Sequence, residues 1–170
     1  FPNVEAFQHT TNQSDIFEYH SEPINAKNVP ENLKGLRTMF LSFHHFQPKN
    51  AKMILQNAIN SNQPIAVLEI QDRSLPSIVA MLLSPVSVLF TTPFIRPFRW
   101  SRLFFTYLIP IVPFVVLWDG IVSALRTYTV EEMRNLINSL ENNTAFEWNF
   151  NKKKSKTGFV IYTIGIPKKQ

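Results

Sequence analysis

Two adjacent histidines, His44 and His45, close the apolar run Leu36-Arg-Thr-Met-Phe-Leu-Ser-Phe43. Imidazole titrates near neutrality, so one of them is suited to deprotonate or position an acceptor hydroxyl or amine. The alternative is that each caps a strand end by bonding loop backbone. Successive strand residues face opposite ways, so the two are not expected to act together. Glu69 and Arg73 follow a second apolar run, Pro64 to Ile70. They read either as a pair that orients an acceptor or as a structural ion pair. Arg96, Arg99 and Arg102 stand among Phe98 and Trp100. They suit a carboxylate, a phosphate or lipid headgroups, or else an exposed turn whose aromatics pack inward. Asp119 needs a partner such as Arg126 if it is buried. His9 and His20 lack ligand spacing with the other histidines, and the chain has no cysteine, so no metal site is expected.

The elements around these residues alternate in period. Thr38 to Phe43 reads as a strand buried on both faces, bounded by Gly35 and Pro48. Ala51, Ile54, Leu55, Ala58 and Ile59 recur at helical spacing, which predicts an amphipathic helix over 48–60 with Pro48 in its first turn. Residues 64–70 then form a second buried strand. Strand, helix, strand over this length is one right-handed crossover of a parallel sheet. In such sheets ligands bind beyond the carboxyl ends of the strands, where His44, His45, Glu69 and Arg73 would fall. Thr129-Val-Glu-Glu132 has capping-box spacing and opens a helix through Leu140. Phe146 to Phe150 and Phe159 to Ile164 alternate as strands, with 151–158 as the turn of an antiparallel hairpin. Upstream, Thr10 to Asp15 reads as a loop and Ile16 to Tyr19 as a short strand.

The 170 residues, 45% apolar and 17% charged, make one globular unit with a core rather than a disordered chain. The formal charge of +5 is concentrated in Lys152, Lys153, Lys154, Lys156, Lys168 and Lys169. That tail lacks the interleaved aromatics of a nucleic-acid surface and reads as a solvated hairpin, so no nucleic-acid partner is expected. The absence of cysteine fits a reducing, cytoplasmic setting, and no retained leader is visible. Residues 74–118 form a Pro-rich apolar insertion whose only charges are Arg96, Arg99 and Arg102. It reads as buried or cleft-covering short helices, with an in-plane membrane attachment through 96–118, or a true span, as alternatives.

A parallel α/β core that ends in a helix and an antiparallel hairpin resembles the later part of a class I S-adenosylmethionine-dependent methyltransferase. Thr38-Met-Phe-Leu-Ser-Phe-His-His-Phe46 is similar to that family's fourth-strand motif. Phe1-Pro-Asn3 and Glu22-Pro-Ile-Asn-Ala26 resemble the segments after its second and third strands, and Trp118 to Thr129 resembles the lead into its last helix. The resemblance implies a Rossmann-like sheet holding strands three to seven of the order 3-2-1-4-5-7-6. It implies S-adenosyl-L-methionine as cofactor, with Asn3 near the ribose and Asn25 and Ala26 near the adenine. Ser42 and Phe43 would border the methionine moiety. His44, His45, Glu69 and Arg73 would face a small-molecule methyl acceptor, apolar or membrane-derived. The family's Gly-rich loop is absent, because Gly35, Gly120, Gly158 and Gly165 are scattered. The acidic residue that ends the second strand is absent too. A sheet without its first strands has unpaired edges, so a fragment of a longer enzyme is expected.

Overall fold

The computed structural model describes residues 3–14, 16–155 and 158–169. Phe1, Pro2, Asp15 and Lys156, singled out above, lie outside the described residues. The chain runs α1 (Val4–Thr11), β1 (Arg37–Phe40), α2 (Pro48–Asn60), β2 (Ile65–Glu69), α3 (Leu75–Leu82), α4 (Ser84–Thr91), α5 (Trp100–Leu103), α6 (Ile111–Arg126), α7 (Val130–Asn138), β3 (Phe146–Ser155) and β4 (Gly158–Pro167).

The four strands form one mixed sheet in the order β1-β2-β4-β3, with β1 and β2 parallel and β4 antiparallel to both β2 and β3. The α/β class and the terminal hairpin are therefore present. Two sequence expectations fail upstream and at the turn. Ile16 to Tyr19 is irregular rather than a strand, while Val4 to Thr11 is helical, capped by Asn3. The hairpin strands reach Ser155 and Gly158, so Asn151 to Lys154 belong to β3 instead of the turn. There the lysines lie along a strand, with Lys152 bound to Asp72 and 4.1 Å from the Phe159 ring.

One face of the sheet is covered by α2 and α7. The helical spacing of α2 buries Ala51, Ile54, Leu55, Ala58 and Ile59 against Ile65 and Val67 of β2, as its periodicity predicts. The capping box of α7 also forms: Glu132 N–H donates to Thr129 Oγ1 (3.1 Å) and Glu132 Oε2 accepts from Thr129 N–H (2.9 Å). Met133, Ile137 and Leu140 close the core. At the far edge Trp148 lies flat over its cross-strand partner Gly165, filling the space where a side chain would stand.

The other face is open, and this alters β1. Arg37 and Met39 point to the covered side, but Thr38 and Phe40 are exposed, Phe40 by 64%. β1 is thus half-buried rather than buried on both faces, because no layer covers that side and β1 has no second neighbour among the described residues.

The insertion 74–118 is helical and short-segmented, as its prolines require. Its expected burial is not met. Neither α3 nor α4 holds a buried residue. Both pack on α6, where Gly120 leaves room for the Met81 sulfur.

Candidate functional site

β1 ends one turn earlier than the apolar run suggests, and this places the histidines. Leu41 donates the last ladder bond to Leu68 O (3.0 Å) and adopts φ +50°, a left-handed conformation unusual for a bulky residue. The chain swings out of the sheet and makes a tight turn over Phe43–His45. Such strain costs about 1–3 kcal/mol and is held by its surroundings.

What holds it is Glu69. At the carboxyl end of β2 its Oε1 accepts the N–H of Phe43 (2.8 Å) and of His44 (3.2 Å), and its Oε2 lies 2.9 Å from His44 Nδ1. Both side chains are buried, at 3% and 5% side-chain exposure. A carboxylate can only accept, so Nδ1 carries the hydrogen of this bond and Nε2 takes no part in it. The arrangement is an oriented imidazole, a geometry suited to proton abstraction.

His44 and His45 both border a cavity of about 600 Å³, together with Arg73, Arg126, Tyr128 and Glu132. Their rings are 4.3 Å apart. The expected opposition of the two side chains does not arise, because they sit in a turn and not in a strand. His45 is exposed and also lines a neighbouring space of about 230 Å³ with Trp118, Asp119 and Arg126.

The expected Glu69–Arg73 pair is not formed. Glu69 is taken up by the turn, and Arg73 Nη1 instead bonds Glu132 Oε1 at 2.8 Å. Burial raises the Glu132 carboxyl, but its bonds to the Thr129 amide and to Arg73 outweigh this and hold it below the usual range. Asp119 is exposed, so it needs no buried partner, and it forms no ion pair with Arg126 among the described residues. Tyr128 donates to Phe46 O (2.7 Å) and packs 5.5 Å from the Phe43 ring. Burial first, and the Glu132 charge second, push its phenol above the usual value.

Arg126, Tyr128 and Glu132 were not singled out from the sequence as site residues. One signal was present: the capping box fixes Glu132 in the first turn of α7, and Arg126 and Tyr128 directly precede it.

The residues that the resemblance assigns to the cofactor lie elsewhere. None of Asn3, Asn25, Ala26, Ser42 or Phe43 lines the cavity. Asn3 Oδ1 caps α1 through Ala6 N–H (3.1 Å), and Asn25 Oδ1 closes a turn on Lys27 N–H (3.0 Å). Ala26 packs on the core, Phe43 is fully buried, and Ser42 opens the histidine turn. Residues 74–117 do not line the larger cavity, and Trp118 borders only the smaller.

Comparison with protein-family models, with curated proteins and with solved structures gives no match.

Proposed function

We propose that this chain is the acceptor-side portion of an S-adenosylmethionine-dependent methyltransferase. The reading is carried by the buried Glu69–His44 pair, which sits at the carboxyl edge of two parallel strands beside a cavity. The sheet order agrees with the 4-5-7-6 end of the family's strand order, with its one antiparallel insertion. The edge of β1, which has no second neighbour among the described residues, agrees with further strands being added there.

The residues present do not make a cradle for the cofactor. Asn3 and Asn25 spend their side-chain oxygens on local backbone, and no glycine-rich turn exists to approach a nucleoside closely. The cofactor's own site is therefore assigned to chain outside this sequence, and the role of these residues is confined to the acceptor. His44 Nε2 takes the acceptor's hydroxyl or amine proton while Glu69 holds Nδ1–H. His45 and Arg126 orient the acceptor within the cavity, and the Arg73–Glu132 pair shapes its wall.

Calorimetric titration of S-adenosylhomocysteine tests the reading. Binding is expected to a longer form that carries upstream residues, and not to the 170 residues alone. In that longer form His44→Ala lowers kcat by about 10²–10⁴-fold, the usual range for a general base. Absence of binding by both forms, or unchanged turnover in His44→Ala with His45→Ala, removes the proposal.

A further inference from the structure

Most of the exposed large apolar side chains of the protein fall within residues 75–118. Phe90, Phe94, Trp100, Leu108, Phe114 and Trp118 are each between 67% and 80% exposed. Soluble monomers rarely leave so many large apolar side chains of one segment bare. Strongly apolar helices belong in a core or in lipid, and neither α3 nor α4 holds a fully buried residue in this fold.

No single helix among the described residues is long and apolar enough to cross a bilayer, and the two candidate pairs bend by 41° and 77° at their breaks. α3 and α4 are eight residues each, or about 12 Å long, against a hydrocarbon core of about 30 Å. α6 spans sixteen residues, about 24 Å, but carries Asp119 near its middle and Arg126 at its end.

Charge selects the occupant. Between Asp72 and Asp119 there is no carboxylate and no lysine, only Arg73 at the base and Arg96, Arg99 and Arg102 at the tip. Arg102 is spent on the turn, donating to Ile95 O (2.9 Å) and Pro97 O (3.3 Å). Arg96 and Arg99 are exposed and make no ion pair among the described residues. Both precede Trp100 in the chain, Arg99 directly, and the Trp100 ring meets Phe98 edge-on at 5.2 Å. An exposed amphipathic aromatic in the same short segment as two exposed arginines, amid otherwise apolar residues, matches the headgroup layer of a membrane.

We propose that residues 75–118 seat the protein in the plane of an anionic bilayer surface. Arg96 and Arg99 meet lipid phosphates, Trp100 lies at headgroup depth, and the exposed faces of α3, α4 and the start of α6 enter the acyl boundary. This attachment needs no cofactor and stands apart from the methyl-transfer reading.

The test is co-sedimentation of the chain with vesicles of phosphatidylcholine alone and of phosphatidylcholine mixed with phosphatidylglycerol, without cofactor. Binding is expected to the anionic vesicles and to weaken with salt. A basic residue near such a surface contributes about fivefold in affinity, so Arg96→Gln with Arg99→Gln reduces binding by about thirtyfold. Both side chains are exposed, and the far-ultraviolet circular dichroism of the double variant is expected to be unchanged. Bromine-labelled acyl chains quench tryptophan emission, and less so in Trp100→Phe. Equal binding to both vesicle types that ignores the arginine substitutions overturns the proposal. So does a lack of vesicle binding together with self-association in lipid-free buffer, which would give this surface to a second copy of the chain.

Discussion

The sheet with α2 and α7, and the arm over residues 75–118, are both rich in apolar side chains, yet they dispose of them in opposite ways. In α2 the apolar positions share one face and a polar face remains for water, so a single layer of sheet can satisfy the helix. α3 is apolar on nearly every side, and α4 has only the narrow polar stripe of Ser84, Ser87 and Thr91; packing on α6 covers only part of their apolar surface. Arrangement, not amount, decides which region makes a core. The polar groups differ in the same sense. Glu69 in the sheet half is buried and fully engaged, while Arg96 and Arg99 in the arm are exposed and free.

The contrast is sharpest in Glu69→Ala. The substitution leaves the Phe43 and His44 amides and the His44 ring without their acceptor, in a buried turn already strained at Leu41. Leaving three buried donors without their acceptor, at about 1–3 kcal/mol for each, is expected to lower stability by about 3–5 kcal/mol, read from the urea midpoint. A loss below about 1 kcal/mol would mean that the turn stands without Glu69, and the sheet half would lose its claim to be the rigid partner.

Two glycines, one in each region, give the next largest difference. A Cβ at Gly165 would lie 2.4 Å from the Trp148 ring, which is stacked on Phe146 and held by its Nε1–H to Asn143 O (3.1 Å). Gly165→Ala therefore forces a fixed aromatic aside and is expected to destabilise by about 1–3 kcal/mol. A Cβ at Gly120 would meet the Met81 sulfur at 2.7 Å, but that is the flexible end of a long side chain. The roughly 1 kcal/mol gain in helix propensity offsets the shift, leaving Gly120→Ala near neutral in thermal melts.

The same contrast explains what could be read from the chain beforehand. α2 and the α7 capping box were legible because period and spacing are local properties, and each agrees with its surroundings. The crossover β1–α2–β2 was legible for the same reason. The end of β1 was not, because Phe40, Leu41 and Phe43 are all apolar and only the carboxylate of Glu69, more than twenty residues away, pulls the chain out of the sheet. The partner of Arg73 was hidden likewise, since Glu132 is fifty-nine positions distant. α1 was missed because its residues carry little periodic signal and none is buried. The arm's segmentation followed from its prolines, but its exposure depends on how much surface the rest of the fold can offer.

The two regions are tied together at the base of the arm, and acid should loosen that tie. Asp72 binds Lys152 of β3, and Arg73 binds Glu132 of α7. Burial raises the Asp72 carboxyl, but the bonds to Lys152 and Ser74 outweigh it and leave the value lowered, as for Glu132. A carboxyl lowered in the folded state adds stability that is present above its ordinary value and lost as pH falls through the folded one. Melting temperature is thus expected to hold near neutrality and to drop below about pH 4.5, the ordinary value for Glu132. Asp72→Asn should remove part of that acid dependence and lower stability by about 1–2 kcal/mol. Asp72→Asn keeping the full acid response would place the tie elsewhere.

The smallest effect is expected where the apolar surface is largest. Phe94 is 80% exposed and Leu108 is 73% exposed, so neither gives up folded contacts when made polar. Phe94→Ser and Leu108→Ser should each shift the urea midpoint by no more than the equivalent of about 0.5 kcal/mol. For a buried side chain of similar size, such as Leu55, truncation to alanine is expected to lower stability by about 2–5 kcal/mol. A large loss in Phe94→Ser would mean that the arm folds back on the protein and hides the residue, and its apolar surface would then be core. A negligible loss would leave Phe94 and Leu108 with no stabilising role in the fold, and their apolar character would then have to be accounted for by something outside it.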